Sequence, residues 1–127
     1  MNTFHLIDLE NIPVKWVSLI NLNNEYNNEI LIFKLENPND KNYILLEDAV
    51  NFINYNVNTR IIKCKNGRPK MNALDFQLAS YIGYLIAMDS QSEIIVYSND
   101  TGFDPVIEWW KDRGISIKRI ENENNGE

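Results

Sequence analysis

Short runs of apolar and β-branched residues alternate along this chain with longer segments whose apolar positions recur at helical spacing. Such alternation is the signature of β/α units that feed a mainly parallel sheet. Five strands are predicted: FHLIDL at 4–9, EILIFKL at 29–35, TRIIKCK at 59–65, EIIVYS at 93–98 and ISIKRI at 115–120. Helices are predicted at about 12–22, 44–55, 72–88 and 104–113, the last stopped by Gly114. Strands buried on both faces read as continuous apolar runs, and by that measure the first, second and fourth strands look central. The third and fifth admit Arg60, Lys63 and Lys65, and Lys118 and Arg119, and so fit sheet edges. Right-handed crossovers then give an α/β sheet of order 3-2-1-4-5 with helices on both faces. The winding reverses between the first and fourth strands, and a site is expected beyond their C-terminal ends.

A length of 127 residues fits one domain, and 44% hydrophobic with 24% charged residues is the balance of a folded chain. Residues 1–120 are assigned to that domain and 121–127, which end in ENENNGE, to an acidic disordered tail. No apolar stretch approaches the roughly 20 residues that span a bilayer, and no basic segment precedes the first strand, so a cytoplasmic protein without membrane contact is expected. One cysteine, Cys64, excludes an intrachain disulfide or a cysteine-built zinc site, and a single histidine, His5, argues against histidine-rich metal chemistry. Any metal must then be held by oxygen. The net charge of −6 is unevenly spread, with the three Glu of ENENNGE supplying half of it. Residues 60–70, RIIKCKNGRPK, hold five of the 12 basic residues and no acid.

Asp8 lies near the end of the first strand among Leu6, Ile7 and Leu9, where an unpaired charge is costly to bury. Asp100 follows the fourth strand, and Asp75 lies in the first turn of the third predicted helix. The expected winding brings all three to one end of the sheet. Asp104, Glu10 and Asn11 are further oxygen-bearing neighbours. Carboxylates so placed repel one another unless protonated or bridged by a hard cation such as Mg²⁺ or Mn²⁺. Each also has a structural alternative. Asp75 could complete a capping box with Asn72, Asp104 could cap the helix that Pro105 begins, Asn11 could cap the first helix, and Asp100 could form an Asx turn.

In HLIDLENIP at 5–13, NALDFQLASYIGYLIA at 72–87 and IIVYSNDTGFDPVIEWWKDRG at 94–114 the chain resembles the PIN-like nucleases, a group that includes the NYN branch. The resemblance spans nearly the whole chain. It implies a three-layer, Rossmann-like PIN-like domain and metal-dependent hydrolysis of phosphodiester bonds, usually in RNA. It also implies that Asp8, Asp75 and Asp100 are metal ligands, with Ser98 as the hydroxyl of the Ser/Thr-x-Asp segment and Asn11 as the polar neighbour of Asp8. Many relatives carry a second acid where this chain has Gly102, and Asp104 is the candidate replacement.

The function expected from these residues is a ribonuclease with Mg²⁺ or Mn²⁺ held by Asp8, Asp75, Asp100 and Asp104. Asn11, Ser98, Lys63, Lys65, Arg68 and Lys70 would bind substrate, the four bases by holding the phosphate backbone. RNA is the expected partner, single-stranded DNA the second candidate, and a homodimer or protein partner could add selectivity. Two readings stand beside it. A non-catalytic PIN-like module would bind RNA or protein, as Gly102 and the acidic charge suggest; solvated edge charges would account for the basic segment.

Overall fold

A computed structural model of the protein describes residues 2–12, 16, 19–20, 22, 27–36, 57–67 and 72–122. Five strands, β1 (Asn2–Asp8), β2 (Asn27–Leu35), β3 (Asn58–Cys64), β4 (Glu93–Tyr97) and β5 (Ser116–Ile120), form one sheet of order β3-β2-β1-β4-β5. All four neighbouring pairs are parallel, with Asp8 opposite Phe33 on one side of β1 and Ile7 opposite Tyr97 on the other. The expected order and polarity are thus those observed. The two described α-helices are α1 (Ala73–Met88) and α2 (Asp104–Lys111), the latter entered through a single 3-10 turn at Thr101–Phe103. Most of the helix expected at 12–22 and all of that at 44–55 lie outside the described residues.

Two-residue alternation divides the apolar side chains between two cores. Phe4 and Leu6 of β1, Leu31 and Phe33 of β2, and Ile94 and Val96 of β4 face Leu74, Leu78, Ile82 and Leu85 of α1 and Ile107 of α2. Ile7, Ile30, Ile32, Ile95 and Tyr97 point to the opposite face, where Leu9, Ile12 and Trp16 cover them. The edges behave as their charges require: Arg60 is exposed, pairs with Glu29 at 3.0 Å and donates to the Tyr81 hydroxyl. Leu78 is fully buried between α1 and the sheet, so Leu78→Ala should cost about 2–5 kcal/mol in chemical denaturation. An unchanged midpoint would contradict the packing described.

The buried imidazole of β1 is satisfied locally. His5 is fully buried, and its Nε2–H donates to Asn28 Oδ1 at 2.9 Å, which leaves Nδ1 to accept from the Tyr97 hydroxyl at 2.8 Å. Burial lowers the imidazole pKa from its ordinary value, so the ring stays neutral. At the far end of α2, Gly114 adopts φ 84°, and the Ile115 N–H returns to the Trp110 carbonyl. That left-handed residue is the expected helix stop, placing Ile115 to start the return into β5.

Candidate metal centre

β1 delivers Asp8 to the C-terminal edge of the sheet. Alternation puts its side chain on the face of Phe4 and Leu6, beneath the start of α1, and it is fully buried. The chain then turns sharply, with the N–H groups of Asn11 and Ile12 donating to the Asp8 carbonyl at 3.2 and 2.9 Å. This turn brings Asn11 back to its own strand end, where Nδ2 donates to Asp8 Oδ2 at 2.8 Å. The Ser98 hydroxyl, just beyond β4, donates to the same oxygen at 2.6 Å and accepts the Asp100 N–H at 3.0 Å. Ser98 therefore ties the ends of the two central strands together through Asp8. Asn11 and Ser98, read from sequence as substrate contacts, are both hydrogen-bonded to this carboxylate.

Asp75 enters from the first turn of α1. Carboxylate oxygens of Asp8, Glu10 and Asp75 all lie within 4.8 Å of one another. Asp100 lies outside this three-carboxylate group but close enough for its charge to raise the Asp75 carboxyl. Asn72 makes no side-chain capping bond, so a capping box does not account for Asp75. Burial pushes the Asp75 carboxyl up to about 7, assisted by the neighbouring carboxylates of Asp100, Asp8 and Glu10. Glu10 is raised too, first by burial and then by Asp8 and Asp100. Crowded like charges favour a proton on one of them, and Asp75 is the group poised to hold it. The donors are all oxygen, crowded and of like charge, which is the set that suits a hard divalent cation.

Glu10 is the member that sequence reasoning left among the neighbours. Its signal was its place two residues after Asp8, which becomes proximity only once the turn at Asn11 is known. Asp100 adopts the expected Asx turn as well, its Oδ1 accepting the Gly102 N–H at 2.8 Å. A Cβ at position 102 would fall 2.9 Å from that Oδ1, so glycine is what lets the carboxylate fold onto the backbone there.

Asp104 takes a different partner. Its two oxygens accept from Arg119 Nε at 2.7 Å and Nη2 at 3.2 Å, and the guanidinium beside it holds its carboxyl below the usual range. Arg119 also donates to the Ser98 carbonyl at 3.0 Å, so the pair braces the loop that carries Asp100. The three-carboxylate cluster does not include Asp104. Asp104→Asn should accordingly lower thermal stability yet leave Mn²⁺ affinity unchanged in calorimetry; a lost binding signal would make Asp104 a ligand.

The basic residues divide. Lys63 is exposed and alternates onto the face of Ile61, opposite the acids. Lys65 lies just past β3, its ammonium 3.5 Å from Glu36 and its backbone clamped to Gln77 of α1 by bonds of 2.8 and 2.9 Å. Arg68 and Lys70 lie outside the described residues, as do 123–127 of the acidic tail.

The chain belongs to the PIN domain family: the family model for the PIN domain matches residues 2–120. Members of this family are typically metal-dependent nucleases. No curated protein and no solved structure is significantly similar to the chain. No helix among the described residues is long and apolar enough to cross a membrane.

Proposed function

We propose that this PIN domain is a ribonuclease that hydrolyses phosphodiester bonds with one or two Mg²⁺ or Mn²⁺ ions held by Asp8, Asp75, Asp100 and Glu10. The observation that carries this reading is the convergence of three carboxylates within 4.8 Å, at the strand ends where the sheet changes direction. When bound, such ions activate water for in-line attack on phosphorus and offset the charge that develops on the leaving oxygen. Asp8 is the fixed point of the set, because Ser98 and Asn11 hold its Oδ2 from two directions. Asp75 is the adaptable member, giving up its proton when a cation arrives. Asp104 is left out of the ligand set because Arg119 engages both of its oxygens.

Substrate binding would rest on Lys65, with Arg68 and Lys70 as further phosphate contacts, and cleavage should weaken steeply with salt. Lys63 is the least supported of the four, since it alternates away from the acids. RNA is the favoured substrate, with single-stranded DNA as the comparison, and the cytoplasm is the proposed location. The HLIDLENIP motif, with Asn11 on Asp8, supports the NYN branch within the family.

The test is incubation of RNA and single-stranded DNA oligonucleotides with Mg²⁺ or Mn²⁺, with and without a chelator. Cleavage that requires the cation is expected. A folded protein that binds no divalent cation in calorimetry and cleaves neither polymer would instead be the binding module that Gly102 suggests.

A further inference from the structure

Among the described residues Phe76 is the most exposed of the large apolar side chains, at 69%, and it directly follows Asp75. First-turn positions of a helix ordinarily take polar or acidic residues, and an aromatic ring left in water there forgoes the stabilisation its burial would provide. Its helical neighbours do nothing to cover it. Positions three and four residues away are Asn72, Ala73, Ala79 and Ser80, all small or polar, and the Ser80 hydroxyl is turned back to the Phe76 carbonyl at 2.8 Å. The other exposed aromatic of α1, Tyr84, stands two turns on, edge to face with Tyr81, which in turn meets Phe33 of the core. Phe76 is therefore separate from that aromatic group. Trp109 is engaged as well, with Arg113 3.3 Å over its ring.

Position decides what the free ring can do. Helical side chains lean toward the N-terminus, so Phe76, on the side of α1 away from the buried Leu74 and Leu78, leans toward the end of the helix that carries Asp75. On its other side, Gln77 clamps the backbone of Lys65, whose side chain is 82% exposed. A hard-cation site, an uncovered aromatic face and an ammonium group thus follow one another across the first turn of α1. A phosphate at the cation, an unpaired base on the ring and the next phosphate at the ammonium would match them in kind.

We propose that Phe76 is a substrate-positioning residue on which one unpaired base of the nucleic acid stacks beside the scissile phosphate. This rests on the nuclease reading of the acidic site. A base inside a duplex has both faces covered by its neighbours and cannot use the ring, so Phe76 favours single strands over duplexes of the same sequence.

The experiment compares the parent with Phe76→Ala and Phe76→Trp in Mn²⁺, using a single-stranded RNA oligonucleotide and the same sequence annealed to its complement. Mn²⁺ binding is measured alongside by calorimetry. For the single strand, Phe76→Ala should raise KM about tenfold, the size of one lost base-aromatic stack, while Phe76→Trp keeps the parental KM. Mn²⁺ affinity should be the same in all three proteins. The proposal is overturned if Phe76→Ala keeps the parental KM, if it affects duplex and single strand alike, or if its only effect is a change of sedimentation, which would make Phe76 a contact between copies. If the parent binds Mn²⁺ but cleaves neither RNA, the nuclease reading falls and this one with it. Cleavage by the parent with no effect of Phe76→Ala removes the stacking role alone.

Discussion

Asp8→Asn is expected to reduce Mn²⁺-dependent cleavage by about 10³-fold or more while raising the melting temperature of the metal-free protein. The two effects have one cause. Asp8 is fully buried at the strand end, with oxygens of Glu10 and Asp75 within 4.8 Å. An arrangement that holds a cation well is one that repels itself when the cation is gone. Both strong bonds to Asp8, from Ser98 Oγ and Asn11 Nδ2, end on Oδ2, so an amide oxygen in that position keeps them. The amide nitrogen then takes the place of Oδ1, which gives up only the longer 3.4 Å bond from the Asn11 N–H. Removing one like charge should stabilise the metal-free fold by about 1–2 kcal/mol, or a few degrees. The same change removes the ligand that the neighbouring residues orient most tightly, and a loss of several kcal/mol of transition-state stabilisation gives the fall in rate. Thermal melts with and without Mn²⁺ should show the parent gaining more from the ion than the variant. Parental cleavage by Asp8→Asn would end the assignment of this centre, and a lower melting temperature would remove the account of its strain.

Much of this architecture was legible because it depends on composition at the scale of whole strands. Strands buried on two faces are mainly apolar, and Lys63, Lys118 and Arg119 fit best where one side of the sheet is open to water. That reasoning reached the order β3-β2-β1-β4-β5, and with it the approach of Asp8 and Asp75 at one end, within reach of the Asp100 charge. Side-chain partners a few ångströms away were not legible in the same manner. In sequence Asp104 reads as a ligand and Glu10 only as an oxygen-bearing neighbour. What separates them is Arg119, fifteen positions away, whose guanidinium reaches Asp104, and the turn after Asp8 that brings the exposed Glu10 close to Asp8 and Asp75. Lys63 illustrates a finer limit. Its place at the end of β3 was expected, but a shift of one residue decides which face a strand side chain meets, and Lys63 alternates away from the acids.

The metal-free protein should lose stability as pH rises from about 4 to about 7, and Mn²⁺ binding should weaken as pH falls below about 7. In the unfolded chain Asp75 titrates near 3.8, whereas in the fold burial and the neighbouring Asp100, Asp8 and Glu10 push it up to about 7. Between those values the folded state binds the extra proton, so the contribution is fully present below the lower pKa and is lost as pH climbs through the upper one. Asp75 is only partly buried, and solvent screening reduces the effect to about 1–2 kcal/mol. Glu10, also raised, acts in the same direction. His5 acts in the opposite one, because its lowered pKa means that the unfolded chain takes up a proton first as pH drops below 6.5. The interval just above 6.5 therefore isolates the carboxylates. A cation must displace the Asp75 proton to bind, so at pH 6 calorimetry in buffers of different ionisation enthalpy should register close to one proton released per ion, and almost none at pH 8. Asp75→Asn should abolish the release and flatten the stability profile between pH 6.5 and 7.5. Equal proton release at the two pH values would mean that Asp75 carries no proton to give up, and the carboxylates would then have to meet a cation already fully charged.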